Sequence, residues 1–206
     1  MSKSIKRRFS INLGLLTADN HPSGEQRIYI TKAASESGVH IALKIIAYAW
    51  FFEQNPIIEP RVDYRYRPDL AVFSPINPNN EDIFSRTPSY MRDIGIAEWI
   101  ECKRTAPKKI RRILRNLDCH LSLFHRSSAL AGYQRALSRL LRVNELHRVH
   151  LFGVAGDLES FFEGIDAARH ILAMKKQDSI TFLHREGASI GYFPIEKKSC
   201  KSNQEF

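Results

Sequence analysis

Two strand-like segments carry the charged residues that most constrain this chain. One segment opens at Asp69, directly after a proline, and the other ends in Glu101-Cys102-Lys103. Side chains alternate along a strand, so Glu101 and Lys103 are predicted to share one face while Cys102 faces the other. If the two strands are neighbours, Asp69 approaches Glu101 and Lys103. Two carboxylates and an ammonium suit a divalent cation and a water aimed at phosphorus.

A basic segment follows at once and contains no acidic residue between positions 102 and 117. Its apolar residues, Ile110, Ile113, Leu114 and Leu117, recur at helical spacing, which predicts an amphipathic helix with a basic outer face. A surface of this charge attracts the phosphates of nucleic acid. The candidate nucleic-acid-binding residues are Arg104, Lys108, Lys109, Arg111, Arg112 and Arg115.

Composition places the chain among soluble globular proteins with a polyanionic partner. Its 206 residues carry a net charge of +9, and 43% of them are hydrophobic. We expect a single nuclease-like domain over residues 1–195, with a loop or insertion at 74–95 and a polar disordered tail at 196–206. Three scattered cysteines and the absence of an apolar leader predict a cytoplasmic protein without a signal peptide or membrane span.

Hydrophobic periodicity predicts a mixture of strands and helices. The segment 119–125 is either a strand or the last turns of the basic helix, and a strand is preferred. The predicted strands are 6–16, 26–31, 57–63, 68–73, 96–103, 119–125, 150–154, 180–185 and 189–195. The predicted helices are 35–53, 108–115 with an ambiguous end, 128–144 and 157–175.

The element order from Ser35 to His125 is α-β-β-β-α-β, with Pro-Asp opening the second strand and Glu-x-Lys ending the third. This pattern resembles the PD-(D/E)xK nuclease superfamily. Within it the chain is most similar to the YaeQ family, through Ser35-Glu36, residues 43–48 and 99–101, the basic helix and the segment from His150. The resemblance implies an α/β (α+β) fold: a restriction-endonuclease-like αβββαβ core, an N-terminal hairpin and a C-terminal strand-helix-hairpin extension.

The resemblance also implies roles for individual residues. Asp69 and Glu101 would bind Mg²⁺ or Mn²⁺ with help from the carbonyl of Cys102, and Lys103 would orient the attacking water. Glu36 matches an auxiliary acid that binds a second ion or a water. YaeQ-like sequences often have glycine where this chain has Lys103, so the retained lysine favours catalytic competence.

Each of these residues also has a purely structural interpretation. Asp69 after proline is common in turns, and Glu101 with Lys103 could form an ion pair on a sheet surface. Glu36 could simply interact with a helix dipole. Asp63 is a rival carboxylate if the strand register differs, whereas Glu98 faces away from Glu101.

The leading hypothesis is a metal-dependent nuclease, with DNA favoured over RNA as substrate. The first alternative is a catalytically inactive nucleic-acid- or protein-binding module of the YaeQ type. The second is the endonuclease subunit of a transposase or other mobile element. A homodimer or a protein partner is compatible with each, and none requires a membrane.

Overall fold

The computed structural model describes residues 7–16, 22–62, 64–74, 95–168 and 170–199. Within them are ten strands and five α-helices. The strands are β1 (Arg7–Leu16), β2 (Pro22–Lys32), β3 (Ile57–Ile58), β4 (Leu70–Phe73), β5 (Ile96–Glu101), β6 (His120–Arg126), β7 (Val149–Val154), β8 (His170–Lys175), β9 (Ser179–His184) and β10 (Ser189–Ser199). The helices are α1 (Gly38–Trp50), α2 (Pro107–Asn116), α3 (Ser127–Leu140), α4 (Val143–Leu146) and α5 (Leu158–Ala167).

All ten strands belong to one mixed sheet with the order β2-β1-β8-β9-β10-β7-β6-β5-β4-β3. The pairs β1–β8, β5–β6 and β6–β7 are parallel, and the other neighbours are antiparallel. The two edge strands, β2 and β3, contact each other. The sheet is therefore curled into a nearly closed, barrel-like shape.

The predicted fold class is wrong. The segments treated as an N-terminal hairpin and a C-terminal extension supply β1, β2, β7, β8, β9 and β10, which are six of the ten strands of one continuous sheet and no addition to an αβββαβ core. The main cause is the predicted helix 157–175, because α5 ends at Ala167 and the residues from His170 form β8. This strand pairs in parallel with β1 and so joins the hairpin to the rest of the sheet.

The error over 157–175 has a physical origin. Ile165, Ala168 and Ile171 recur every third residue, a spacing that fits a helix and conceals the change of structure between them. In β8 the buried residues are Ile171 and Ala173, which alternate as a strand requires. Pairing on both sides of β8 outweighs the weak helical preference of so short a segment.

The helix α1 is enclosed by the curled sheet. Every residue from Ile41 to Ala49 is buried. A helix that is buried all round belongs to a core and not to a surface. The start of α1 is fixed by Ser37, whose side chain accepts a hydrogen bond from the His40 amide at 3.2 Å.

The outer side of the sheet is covered by α2 and α3. Alternate residues of β5 enter different cores: Ile100 packs in the core that contains α1, and Trp99 packs in the core that contains α2 and α3. Cys102, just after the strand, continues the α1 side and is fully buried, as predicted. A residue's position in β5 therefore decides which helix it meets.

Other predictions differ in their boundaries. The strand 57–63 is reduced to Ile57–Ile58, β5 stops at Glu101, and the helix 128–144 is divided into α3 and α4. The preferred strand interpretation of 119–125 is confirmed by β6. β10 continues to Ser199, so the first residues of the predicted tail are strand. Most of the loop 74–95 and Asp63 lie outside the described residues.

No helix in the described ranges is long and apolar enough to cross a membrane.

The close packing of α3 on β7 depends on Gly153. A Cβ atom there would lie 2.8 Å from Leu130 Cδ2 and 3.2 Å from Ser127 Cα. We expect Gly153→Ala to lower the free energy of unfolding by about 1–3 kcal/mol in urea titrations followed by circular dichroism. Gly132→Ala is the matched control in α3, since its added Cβ meets nothing within 4 Å. It should raise stability by about 0.5–1 kcal/mol. Equal effects of the two changes would contradict this account.

Candidate functional site

Asp69 lies between β3 and β5, immediately before β4. Its amide donates to the Ile100 carbonyl at 3.0 Å, and its own carbonyl accepts from the Glu59 amide at 2.9 Å. Its side-chain Oδ2 accepts from the Cys102 amide at 2.8 Å, and Oδ1 lies 3.4 Å from Lys103 Nζ. The backbone and side chain of Asp69 thus tie the start of β4 to the end of β5.

Three charged residues, one before α1 and two within it, lie near Asp69. Glu36, His40 and Lys44 are spaced four residues apart, so they lie along one side of the helical turn. His40 Nδ1 is 2.7 Å from Glu36 Oε1, and His40 Nε2 is 3.1 Å from Asp69 Oδ2. The second contact is not aligned as a hydrogen bond and acts as an ion pair when the ring is protonated.

Lys44 is the centre of this arrangement, with 2% of its side chain exposed. Its ammonium donates to Glu36 Oε1 at 2.8 Å and to Glu59 Oε1 at 2.6 Å, and lies 3.9 Å from Asp69 Oδ1. Three carboxylates and three cations, with His40 protonated, balance one another. We call this set the charge cluster: Glu36, His40, Lys44, Glu59, Asp69 and Lys103.

The cluster shifts the pKa of its members toward their charged forms. Burial acts to raise the pKa of Asp69, but contact with His40, the Cys102 amide and the Lys103 charge outweigh it, and the pKa falls below its usual range. Burial is likewise outweighed at Glu36, where contact with His40 and Lys44 lowers the pKa to about 2. Burial acts to lower the pKa of His40 and Lys44, yet their carboxylate partners raise both.

Glu101 lies on the other side of the sheet. It is fully buried, and its carboxylate accepts from Trp99 Nε1 at 2.9 Å, Thr105 Oγ1 at 2.8 Å and Lys109 Nζ at 2.8 Å. Lys103 does not share this face, because β5 ends at Glu101 and the chain turns before Lys103.

The structure therefore brings together part of the predicted site. Asp69, Lys103 and Glu36 belong to one cluster, whereas Glu101 pairs with Lys109 of α2. Glu36 precedes α1 and is not in its first turn. The Cys102 thiol is buried and its pKa is raised well above its usual value by burial, so it is not a thiolate; the predicted role of its carbonyl stays a prediction.

As they stand, these side chains do not fit Mg²⁺ or Mn²⁺. Both oxygens of Asp69 already face donors or cations, and Glu36 Oε1 contacts both His40 and Lys44. Across the described ranges, no group of three or more His, Cys, Asp or Glu side chains could hold a metal ion. Binding a divalent cation would require Lys44 or His40 to leave the carboxylates.

Sequence reasoning missed His40, Lys44 and Glu59. The first two had a usable signal, since charged residues four and eight positions after Glu36 share its side of the helix. Glu59 had no such signal. It follows the short strand β3, its backbone has a positive φ of 47°, and it contacts Lys44 only in the folded chain.

Half of the predicted basic residues are held by carboxylates. Lys109 binds Glu101 at 2.8 Å, Arg115 binds Glu145 at 3.1 Å, and Arg111 approaches Glu145 at 4.0 Å. Arg112 donates to the Tyr66 hydroxyl at 3.0 Å. Arg104 and Lys108 have no hydrogen-bond or ion-pair partner for their side chains in the described part of the chain.

Comparison with solved structures identifies the fold. The YaeQ protein from Pseudomonas syringae aligns with a TM-score of 0.61 and 14% identity, covering 97% of this chain and 98% of that one. The YaeQ protein from Xanthomonas axonopodis pv. citri aligns with a TM-score of 0.59 and 10% identity, covering 92% and 97%. This chain has the fold of the YaeQ proteins. No protein-family model matches it, and no curated protein is similar to it in sequence.

The match to the YaeQ proteins spans nearly the whole of each chain. The shared feature is therefore the architecture as a whole. The predicted YaeQ resemblance is supported at the level of fold.

We expect Lys44→Met to lower the free energy of unfolding at pH 7 by about 3–5 kcal/mol, because it leaves buried carboxylates without their cation. Urea titration measures the loss. Lys108→Met, at an exposed position on α2, is the control and should change stability by about 0.5 kcal/mol or less. A Lys44→Met protein as stable as this control would show that the cluster contributes little.

The pH dependence of the same variant gives an independent check. In the wild type the depressed pKa of Glu36 contributes stability above its ordinary value of 4.5, which is lost as the pH falls through about 2. Without Lys44 a cause of that depression is removed, so Glu36 protonates at higher pH. The stability difference between wild type and Lys44→Met should therefore shrink as the pH falls below 4.5. A constant difference would contradict this account.

Proposed function

We propose that the protein binds nucleic acid through a basic surface formed by α2, α3 and the segment before α2. The two helices pack against each other, and neither contains an aspartate or a glutamate. The exposed cations of this surface are Arg104, Lys108, Arg112, Arg135 and Arg139. This concentration of unpaired positive charge is the observation that carries the proposal.

The division of the cations into two groups supports this function. One group forms ion pairs with the carboxylates of Glu101 and Glu145 and stabilises the fold: Lys109, Arg111 and Arg115. The residues of the basic surface have no carboxylate partner among the described residues. Like charges gathered on neighbouring helices repel each other, so a fold without an anionic partner gains nothing from them. A phosphate backbone supplies that partner.

The segment from Cys102 to Thr105 is fixed at several points before it reaches α2. Asp69 accepts from the Cys102 amide, Glu101 accepts from the Thr105 hydroxyl at 2.8 Å, and the Tyr133 hydroxyl of α3 donates to the Thr105 carbonyl. These contacts hold the backbone that carries Lys103 and Arg104. Cations on a backbone that is already ordered lose less entropy on binding. Asp69 and Glu101 thereby serve binding without touching the ligand.

The second candidate function is metal-dependent cleavage of nucleic acid by Asp69, Glu101 and Lys103. This function would also place the chain in the PD-(D/E)xK superfamily. One contact favours cleavage: the half-exposed Lys103 ammonium lies 3.4 Å from Asp69 Oδ1. An ammonium at this position can stabilise the negative charge of a phosphate group that reacts beside the carboxylate. Cleavage ranks second because Glu101 is held apart by three donors and the Asp69 oxygens already have partners. The predictions of a protein-binding module and of a mobile-element endonuclease subunit stay predictions.

We expect the protein to retard labelled duplex DNA with an affinity that falls steeply with salt. Lys108→Ala, Arg112→Ala and Arg139→Ala should each reduce the slope of log K against log salt by up to about 0.9 on duplex DNA, or about 0.7 on single strands. Fluorescence anisotropy across a salt series measures both slopes and shows which nucleic acid binds better.

Arg185→Ala is the matched control for these changes. Arg185 is an exposed cation in the turn between β9 and β10, away from α2 and α3. It should leave the slope unchanged. Equal losses at Arg185 and at Lys108 would mean that only the net charge matters, and the proposed surface would be wrong.

A cleavage assay separates the two candidates. We expect supercoiled plasmid and labelled single strands to stay intact with Mg²⁺, Mn²⁺ or EDTA, because Lys44 and His40 occupy the carboxylates. Gel electrophoresis after incubation measures the outcome. Cleavage that needs the metal and disappears in both Lys103→Ala and Asp69→Ala would establish the nuclease. An active Lys103→Ala protein would instead point to a contaminating enzyme.

A further inference from the structure

A cavity of about 380 Å³ lies between the segment before α2, the end of β6 and the first half of α3. No carboxylate lines it in the described part of the chain. Its wall combines Ala129 and Ala131 with the larger side chains of Arg104, His125, Ser128, Tyr133 and Arg135, and Gly132 leaves its side open. The cavity opens beside the basic surface but none of the predicted catalytic residues lines it.

Two arginines of this wall, Arg104 and Arg135, have no partner for their guanidinium groups among the described residues. They come from different elements, a loop and a helix, and both line the cavity. Two unpaired guanidinium groups at one cavity favour an anion that can accept several hydrogen bonds at once.

His125 is a second and independent sign of a ligand. It is 5% exposed, and its Nε2 atom is buried without a hydrogen-bond partner. Burial, helped by the charge of Arg104, lowers the pKa of His125 to about 4, so the ring is neutral at physiological pH. Its edge-on contact with Tyr133, at 4.5 Å between ring centroids, fixes its orientation. An unsatisfied buried nitrogen in a native fold calls for a partner, and a ligand in the cavity could supply one.

The first turn of α3 contributes to the same wall. This helix of 14 residues begins after Arg126 without a side-chain cap, and Ser128 in its first turn lines the cavity. Uncapped amides and the positive end of the helix dipole favour an anion at this position.

We propose that this cavity binds a phosphate monoester, held by Arg104 and Arg135 with His125 and the first turn of α3 as further hydrogen-bonding groups. The cavity is larger than one phosphate, and the space beside Gly132 accommodates a sugar. Because the cavity adjoins the basic surface, the phosphate is assigned to the end of a nucleic-acid strand. That assignment of the source rests on the proposed nucleic-acid binding, whereas the phosphate site itself does not.

Titration of the full-length protein with inorganic phosphate, by isothermal calorimetry at constant ionic strength, tests the site without nucleic acid. We expect saturable binding that weakens about tenfold or more in Arg135→Ala, as the loss of one charge-assisted hydrogen-bonding group predicts. Arg185→Ala, an exposed cation in the turn between β9 and β10 and outside the cavity, is the control and should bind as the wild type does.

A second variant tests whether binding needs the space in the cavity, without changing the charge around it. Gly132→Met should fill the open side of the cavity without removing any cation, and it should abolish phosphate binding while thermal unfolding shows an intact fold. Absence of saturable binding in the wild type would overturn the proposal. So would equal binding in wild type, Arg135→Ala and Gly132→Met, which would show only unspecific attraction.

The source of the phosphate is tested with one oligonucleotide bearing either a 5′-phosphate or a 5′-hydroxyl. We expect the phosphorylated strand to bind about tenfold more tightly, and this preference to disappear in Arg135→Ala. Equal affinities together with phosphate binding would overturn the assignment to a strand end and leave a site for small phosphate esters. If neither oligonucleotide binds but phosphate does, the proposed nucleic-acid binding fails and the site stands.

Discussion

A single buried ammonium organises much of this structure. Lys44 lies in the middle of a helix whose neighbours from Ile41 to Ala49 are all buried, and a charge in such a place is tolerated only with partners. Glu36 reaches it from the segment before α1, and Glu59 and Asp69 reach it from the chain around β3 and β4. The need to neutralise one lysine therefore sets where the chain enters α1 and where it enters β4.

Alternation along β5 then separates two sets of charges. Ile100 and Cys102 face the enclosed helix, while Trp99 and Glu101 face α2. Asp69 and Lys103 lie on one side of the sheet, and Glu101 and Lys109 lie on the other. The turn between Glu101 and Lys103 is held by contacts on both sides. The consequence is a rigid segment at the start of α2 that presents its cations outward. Residues that resemble a catalytic set in sequence thus act in the fold as two ion-pair anchors.

The sequence predicted local elements better than their assembly. The N-terminal hairpin, β6 and the basic helix were recognisable because their apolar residues keep one period throughout. β8 was not, since Ile165, Ala168 and Ile171 continue a helical spacing across the end of α5. The candidate site was predicted in part: Asp69 and Lys103 do meet, but the alternation that placed Lys103 beside Glu101 assumed a strand that ends two residues earlier. The position of Arg104 was predicted, whereas its meeting with His125 and Arg135 depends on tertiary packing that no local pattern encodes.

The parallel pairing of β1 with β8 also bears on how the chain reaches its native state. Asn12 and His170 are partners although their sequence positions differ by 158, so one edge of the N-terminal hairpin has no neighbour until β8 has been synthesised. Contacts of such long range are formed late and slowly. An apolar strand such as β1 with an unpaired edge is also a site of association with other chains. The growing polypeptide thus depends on protection of its first strands, and we expect its yield of native protein to be governed by the arrival of β8.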